Sequence, residues 1–192
     1  MKVGLFFGSF NPIHSGHLIL ANTICEEARL DKLWFVVSPQ NPFKEKASLL
    51  HEFDRFDLVQ SAIKDDIRFE VSDVEFHMPK PSYTIDTLVR LTETFPTYQF
   101  QLIMGEDNLA SFHKWKNYKE LLEISSILYY PRATNKVIKD KLLNSVKVKK
   151  VDAAYMQISS TYIRNKIKEK KSIRYLVPES VVKLINEKGF YI

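Results

Sequence analysis

Apolar and polar positions alternate along the chain in a pattern that predicts short strands separated by amphipathic helices. Apolar runs with the length of buried strands occur at residues 3–8, 33–38, 68–74, 99–104, 127–130 and 146–151. Segments with apolar residues at helical spacing lie between them, at 15–28, 51–63, 84–95, after Gly105, and at 136–143. Such an alternation indicates βα units and a parallel sheet.

The C-terminal part has a different pattern, because two short helices are predicted at residues 161–170 and 179–188 with no strand between them. Pro178 suits the first position of the second helix, and Gly189 suits the position just past its end. At the first helix of the chain, Ser15 is the expected N-cap.

These elements together predict an α/β fold, a Rossmann-like doubly wound parallel sheet with a small helical C-terminal extension. We expect one domain over residues 1–192, with the helical part at about 158–192. Right-handed crossovers place the βα loops at one edge of such a sheet, and ligands bind at that edge.

The composition of the 192 residues, 45% hydrophobic and 27% charged, is that of an ordinary globular protein. No window approaches the roughly 18 apolar residues of a membrane span, and the apolar run at the N-terminus lacks the flanks of a signal peptide. Cys25 is the only cysteine, so no internal disulfide can form. These features favour the cytoplasm.

The formal net charge of +5 favours anionic partners such as nucleotides, nucleic acid or an acidic lipid surface. The excess lies mainly at residues 136–171, where a solvated lysine-rich surface is an equally good interpretation. Aromatic residues are not interleaved with these charges as they are in many RNA-binding proteins. Charge alone therefore does not choose among the partners.

The strongest motif is G-S-F-N-P-I-H-S-G-H at residues 8–17, between the first strand and the first helix. The start of a helix offers free backbone N–H groups and a positive dipole end to phosphate oxygens. Gly8 and Gly16 would leave room for a ligand, and His14 and His17 would direct two imidazole donors at its phosphates. Metal ligation by the two histidines and a purely structural role remain minor alternatives, since no third ligand lies nearby in sequence.

The motif matches neither G-x-G-x-x-G nor G-x-x-x-x-G-K-[ST], which disfavours a dinucleotide cofactor and a P-loop NTPase. H-S-G-H instead resembles the H-x-G-H signature of the nucleotidyltransferase superfamily. I-S-S-T-Y-I-R at residues 158–164 resembles its second signature. The whole run at 8–17 is similar to that of bacterial nicotinate-nucleotide adenylyltransferases, and the resemblance covers nearly the whole chain in motif order and spacing.

The resemblance implies an ATP site made from the two signatures and the segment after the fourth strand. Its implied residues are Gly8, Ser9, Phe10, His14, His17, Gly105, Asp107, Ser159, Ser160, Thr161 and Arg164. The implied catalytic residues are His14, His17, Arg164 and Lys44, the last of which lies in S-P-Q-N-P-F-K at 38–44. They would stabilise charge at the phosphates, while Mg²⁺ would be carried by ATP without a dedicated protein site.

The resemblance also implies an acceptor site made of Asn11, Lys44, Thr84, Asp107 and Trp115. In the family, backbone N–H groups near the threonine meet a carboxylate, and the tryptophan stacks on a pyridine ring. A tryptophan taken alone would more often be a core residue. The chain departs from the family pattern at Glu106, Lys116 and the acceptor loop at 76–81.

The expected activity is transfer of AMP from ATP to nicotinate mononucleotide, with ATP and that mononucleotide as partners and neither nucleic acid nor membrane. Nicotinamide mononucleotide or phosphopantetheine as acceptor is the nearest alternative. A non-catalytic nucleic-acid binder and a protein-interaction module are alternatives of a different class. The oligomeric state is left open.

Overall fold

The computed structural model describes residues 1–39, 49–132, 138 and 140–192. It contains a six-stranded sheet in the order β3-β2-β1-β4-β5-β6, and every neighbouring pair is parallel. The strands are β1 (Lys2–Gly8), β2 (Lys32–Val37), β3 (Phe69–Ser72), β4 (Gln99–Gly105), β5 (Ser126–Tyr130) and β6 (Val148–Lys150). The predicted doubly wound parallel sheet is confirmed.

Helices occupy the connections between the strands and the C-terminal part of the chain. They are α1 (Ser15–Ala28), α2 (Glu52–Ile63), α3 (Thr84–Thr94), α4 (Glu106–Ser111), α5 (Tyr118–Ile124), α6 (Asp140–Leu143), α7 (Ser160–Lys168) and α8 (Glu179–Lys188). Short 3₁₀ helices lie at Val74–His77 and Phe112–Lys114. None of the described helices is long and apolar enough to cross a bilayer.

Two local predictions differ from the structure at the sheet edges. The third strand was expected at 68–74, but it ends at Ser72, and a 3₁₀ helix follows that buries the Glu75 side chain. The sixth strand was expected at 146–151, but only Val148–Lys150 pairs with β5, and Val146 is fully exposed. Edge strands have a partner on one side only, so an apolar run there need not pair along its whole length.

The N-cap of α1 also differs from the prediction, because Ser15 is the first helical residue and His14 is the N-cap. The backbone N–H of His14 donates to Nδ1 of His17 at 3.3 Å. The hydroxyl of Ser15 instead donates to the carbonyl of Tyr175 at 3.0 Å. The start of α1 is thereby attached to the C-terminal part of the chain.

The core lies in two layers, one on each face of the sheet. On one face, α1, α2, α7 and α8 bury a shared cluster that includes Ile24, Leu58, Ile163, Val181 and Ile185. On the other face, α3, α4 and α5 bury a second cluster through Leu88, Leu91, Leu109 and Leu121. The carboxyl ends of β1 and β4 stay open between the two layers, and β1 and β4 are the strands from which the strand order runs in opposite directions.

Candidate active site

A cavity of about 520 Å³ opens at the carboxyl ends of β1 and β4. A volume of this size is typical of small-molecule sites. The residues predicted to bind ATP all line it: Gly8, Ser9, Phe10, His14, His17, Gly105, Asp107, Ser159, Ser160, Thr161 and Arg164. The fold therefore brings together segments that are about 150 positions apart in the sequence.

The predicted acceptor residues are not brought together to the same degree. Asn11 and Asp107 line the cavity, whereas Thr84 and Trp115 are not among its lining residues. Thr84 is the first residue of α3, and the half-buried Trp115 ring lies 5.4 Å from the ring of Phe112. Lys44, predicted for both catalysis and acceptor binding, lies outside the described residues.

The two signature histidines stack on each other at the start of α1. Their ring centroids are 3.7 Å apart, and the rings are inclined by 27°. Nδ1 of His17 accepts the backbone N–H of His14, so a neutral His17 carries its proton on Nε2. In that tautomer Nε2 is the ring nitrogen of His17 that can donate.

The His14 imidazole is nearly fully buried beside the cavity. Burial, and to a smaller extent the nearby positive charge of Arg132, together lower the pKa of His14 from 6.5 to about 4. The ring is therefore neutral at pH 7. Its buried Nδ1 has no hydrogen-bond partner among the described residues, and a ligand group could supply one.

Gly8 and Gly16 lie against side chains of the motif itself. A Cβ on Gly8 would lie 2.8 Å from the ring of Phe10, and a Cβ on Gly16 would lie 3.1 Å from Nδ1 of His14. Gly8 also lines the cavity, and close approach of a ligand to these glycines stays a prediction. Their small size allows the Phe10 ring to pack into the core and the His14 ring to fold over the start of α1.

The second signature is bonded directly to the first. The Ser160 hydroxyl donates to the carbonyl of Pro12 at 2.8 Å, and Nη1 of Arg164 donates to the carbonyl of Asn11 at 2.8 Å. Nη2 of Arg164 donates to the Thr161 hydroxyl at 3.3 Å. Ser159 caps α7 by accepting the N–H of Tyr162 at 3.2 Å. The two signatures thus form one wall of the cavity.

The Asn11 side chain serves a structural contact as well as lining the cavity. Its Oδ1 accepts the hydroxyl of Tyr191 at 2.9 Å and the backbone N–H of Leu50 at 3.3 Å. The amide oxygen is therefore committed to the C-terminal part of the chain and to the entry of α2.

Arg132 also lines the cavity, although no motif in the sequence singles it out. Its Nη1 lies 3.7 Å from Oδ2 of Asp107, while Oδ1 of Asp107 is buried and has no hydrogen-bond partner in the part of the chain that the structure describes. Arg132 follows β5, so its place at the carboxyl edge of a predicted strand was a usable signal.

Arg55, a second residue outside the predicted set, is fully buried in α2. Its guanidinium donates to the carbonyls of Ser9 at 2.7 Å, Ser38 at 2.8 Å, Pro39 at 3.0 Å and Leu50 at 2.9 Å. It joins the loops after β1 and β2. An arginine in an amphipathic helix gives no sequence signal that distinguishes this role from a solvated one.

The residues that depart from the family pattern have local partners. Oε2 of Glu106 accepts the backbone N–H of Arg132 at 3.4 Å. The Lys116 ammonium lies 3.0 Å from Oδ2 of Asp86 and 4.5 Å from the centroid of the Tyr83 ring. Lys116 therefore attaches the segment that carries Trp115 to the start of α3.

Known proteins with similar sequences and structures point to one chemistry. A family model described as cytidylyltransferase-like matches residues 5–166. The probable nicotinate-nucleotide adenylyltransferase of Cytophaga hutchinsonii is 52% identical, with 100% of this chain and 98% of the relative covered. That of Flavobacterium psychrophilum is 48% identical, with 100% and 99% covered.

A solved structure shows the same fold at low sequence identity. Plasmodium falciparum nicotinic acid mononucleotide adenylyltransferase complexed with NaAD matches with a TM-score of 0.79 and 19% identity, over 99% of this chain and 97% of that one.

Proposed function

The chain belongs to the cytidylyltransferase-like family and, within it, to the nicotinate-nucleotide adenylyltransferases, and from this premise we propose how its cavity works. The enzyme transfers AMP from ATP to nicotinate mononucleotide, which gives nicotinate adenine dinucleotide and pyrophosphate in NAD biosynthesis. The assignment of roles to individual residues is our proposal. Its main support is the cavity in which both signatures meet.

ATP is proposed to bind with its phosphates against the start of α1. Free N–H groups and the positive end of the helix dipole favour anions there. His14 and His17 line the cavity at this point, as do Ser159, Ser160 and Thr161 at the start of α7. Two helix starts thus face one cavity, an arrangement suited to a triphosphate.

The transfer itself needs positioning and charge stabilisation more than proton transfer. The acceptor phosphate is an anion at neutral pH, so its oxygen can attack the α-phosphorus of ATP directly while the bond to pyrophosphate breaks. Neutral His14 would serve as a hydrogen-bond donor and not as a general acid, because its pKa is lowered to about 4. His17, Arg164 and, by the family resemblance, Lys44 complete the proposed catalytic set.

The acceptor is proposed to bind next to Asp107, between the cavity and the layer formed by α3 and α4. Asn11 and Lys44 would bind its ribose phosphate, the start of α3 at Thr84 would meet its carboxylate, and Trp115 would stack on its pyridine. The half-exposed Trp115 ring and the half-buried Thr84 support this placement, since neither is sealed in the core.

A divalent cation fits the cavity as a companion of the phosphates. No cluster of three or more His, Cys, Asp or Glu side chains suited to a metal is found among the described residues. Oδ1 of Asp107, which makes no hydrogen bond to any described residue, is the oxygen that could meet a water of hydrated Mg²⁺. When bound, Mg²⁺ would neutralise charge on the leaving pyrophosphate.

The same proposal covers the partners of the protein, its domain organisation and its compartment. The partners are the two nucleotides, and neither nucleic acid nor a membrane takes part. The chain is proposed to act as one domain in the cytoplasm, where the buried Cys25 stays a thiol.

The deciding experiment measures pyrophosphate release from ATP and Mg²⁺ with nicotinate mononucleotide, nicotinamide mononucleotide or phosphopantetheine as acceptor. Release should be fastest with nicotinate mononucleotide. Equal rates with the acid and the amide would reject the acceptor preference, and no release with any acceptor would reject the activity. Salt-dependent binding of nucleic acid by a protein without this activity would favour the binding alternative.

A further inference from the structure

The cavity has few side chains that can carry positive charge among its described lining residues. They are Arg132 and Arg164, with the neutral His14 and the stacked His17 beside them. Asp107 adds a negative charge to the same wall. A triphosphate brings several negative charges, so the cationic donors that remain available to it matter strongly.

Some of the N–H groups of the Arg164 guanidinium already donate hydrogen bonds within the protein. One of its terminal nitrogens holds the Asn11 carbonyl, and the other holds the Thr161 hydroxyl. Arg164 therefore joins the two signatures, and its remaining N–H groups are the ones that could reach a phosphate.

Arg132 is held in a different way. Its backbone N–H donates to Glu106, which fixes the start of the side chain. The guanidinium lies 3.7 Å from Asp107, which is longer than a hydrogen bond, and about half of the side chain is exposed. The guanidinium of Arg132 thus lines the cavity, and among the described residues Asp107 is its one carboxylate partner, at a distance longer than a hydrogen bond.

The surroundings place Arg132 close to the histidines. A second cavity of about 50 Å³ adjoins the first, and Arg132 lines both together with His14 and His17. The lowering of the His14 pKa by the Arg132 charge agrees with this closeness. Gly105 makes the approach possible, since a Cβ there would lie 3.0 Å from Cδ of Arg132.

We propose that Arg132 is a further catalytic residue, whose guanidinium binds a phosphate of ATP and stabilises the charge that develops as pyrophosphate leaves. The inference rests on the proposed function and adds to it a residue outside both signatures. A guanidinium can bind two phosphate oxygens at once, which an ammonium cannot do with the same geometry.

The test compares Arg132→Met and Arg132→Lys with Arg174→Met, which removes the same charge from an exposed side chain beside Glu179. We expect Arg132→Met to lower kcat/KM for ATP about 100-fold, with Arg132→Lys in between and Arg174→Met within about twofold of wild type. The KM for nicotinate mononucleotide should change little. Arg132→Met rates within twofold of those of Arg174→Met would overturn the inference.

A second comparison separates direct phosphate binding from an effect through Asp107. Affinity for a non-hydrolysable ATP analogue is measured for Asp107→Asn and for Asp107→Asn combined with Arg132→Met. Direct binding predicts that the second substitution still weakens affinity about tenfold. If it changes nothing in this background, Arg132 acts only by orienting Asp107 and the proposal fails. Wild-type activity with nicotinate mononucleotide is measured in parallel, so that failure of the proposed function would be recognised separately.

Discussion

At the scale of single residues, the hydrogen bond from the His14 N–H to Nδ1 of His17 assigns the proton of a neutral His17 ring to Nε2. His17→Ala removes the imidazole that is proposed to donate to the phosphates through its Nε2–H, while the helix start and the rest of the cavity remain. We expect kcat to fall about 100-fold and the affinity for ATP to change less than about threefold, because the donor acts mainly on charge formed during transfer.

Steady-state kinetics and a binding titration with an ATP analogue measure the two quantities for His17→Ala. The control is His51→Ala, which removes a largely exposed imidazole. A raised KM with an unchanged kcat would show that His17 contributes only to ground-state binding.

The buried imidazole of His14 predicts a pH dependence of stability. Its folded pKa of about 4 lies below the 6.5 of the unfolded chain, so the unfolded state binds more protons between these values. Stability is therefore lost as the pH falls from about 6.5 towards 4. From pH 7 to pH 5 this single group should lower the free energy of unfolding by roughly 2 kcal/mol.

Urea unfolding at the two pH values measures this loss for the protein without nucleotide. His14→Gln should lose roughly 2 kcal/mol less than wild type over the same interval, whereas His51→Gln should follow wild type. An equal loss in wild type and His14→Gln would mean that His14 is not kept neutral by folding.

Trp115 carries the proposed acceptor contact from outside the cavity lining. Trp115→Ala removes the ring that would stack on the pyridine, so it should raise the KM for nicotinate mononucleotide about tenfold and leave the KM for ATP nearly unchanged. Phe53→Ala, which removes an exposed ring from α2, is the control. An unchanged acceptor affinity, measured by titration, would reject the stacking role.

At the scale of elements, Arg55 joins the loops after β1 and β2 to the start of α2. A lysine has one nitrogen and cannot donate to the Ser9, Ser38, Pro39 and Leu50 carbonyls together. Arg55→Lys should lower the free energy of unfolding by about 3 kcal/mol and should also reduce kcat, because Ser9 lines the cavity.

Arg68→Lys is the matched control for Arg55→Lys. Arg68 bridges Asp66, Glu26 and Asn22 just before β3, at the edge of the sheet opposite the cavity. Arg68→Lys should lower the free energy of unfolding without changing kcat. Both variants are assayed at a temperature at which denaturant curves show that they are folded. An unchanged kcat in folded Arg55→Lys would confine Arg55 to a role in stability.

Helices and strands were predictable where the residues that determine their ends lie close by in the sequence. The helix at Glu179–Lys188 was placed correctly, and Gly189 follows its end at φ 64°, but Pro178 is the N-cap and not the first helical residue that was predicted. The edges of the sheet were less predictable, since pairing of β3 and β6 depends on neighbours that the local pattern does not encode. The N-cap at His14 was missed because a ring nitrogen of His17, not a serine, accepts the N–H there.

At the scale of the whole molecule, the parallel sheet explains why the residues predicted to bind ATP line one cavity. Parallel strands end at one edge, so motifs that follow strands collect in one cavity. Arg132 also follows a strand, but it belongs to no recognised motif. Arg55, within a helix, donates to the carbonyl of Ser9, which lines the cavity, and the direction of its side chain is not revealed by any periodicity.

The C-terminal part of the chain is linked to the first signature by two sets of bonds, and this link leads to a final prediction. Ser15 N–H and Oγ donate to the carbonyls of Leu176 and Tyr175, and the Tyr191 hydroxyl donates to Oδ1 of Asn11. Tyr191→Phe removes one donor, while Oδ1 keeps the Leu50 N–H. It should lower the free energy of unfolding by about 1 kcal/mol.

The backbone carbonyl of Asn11 accepts a hydrogen bond from Arg164. Loss of the Tyr191 hydrogen bond to Asn11 should therefore also lower the reaction rate. We expect Tyr191→Phe to lower kcat a few-fold, and Tyr155→Phe, at an exposed tyrosine, to leave both quantities unchanged. Denaturant unfolding and pyrophosphate release measure the two effects. A variant with lowered stability and wild-type kcat would show that the C-terminal helices support the fold without orienting the signature, since the Asn11 carbonyl would then hold Arg164 in place without help from Tyr191.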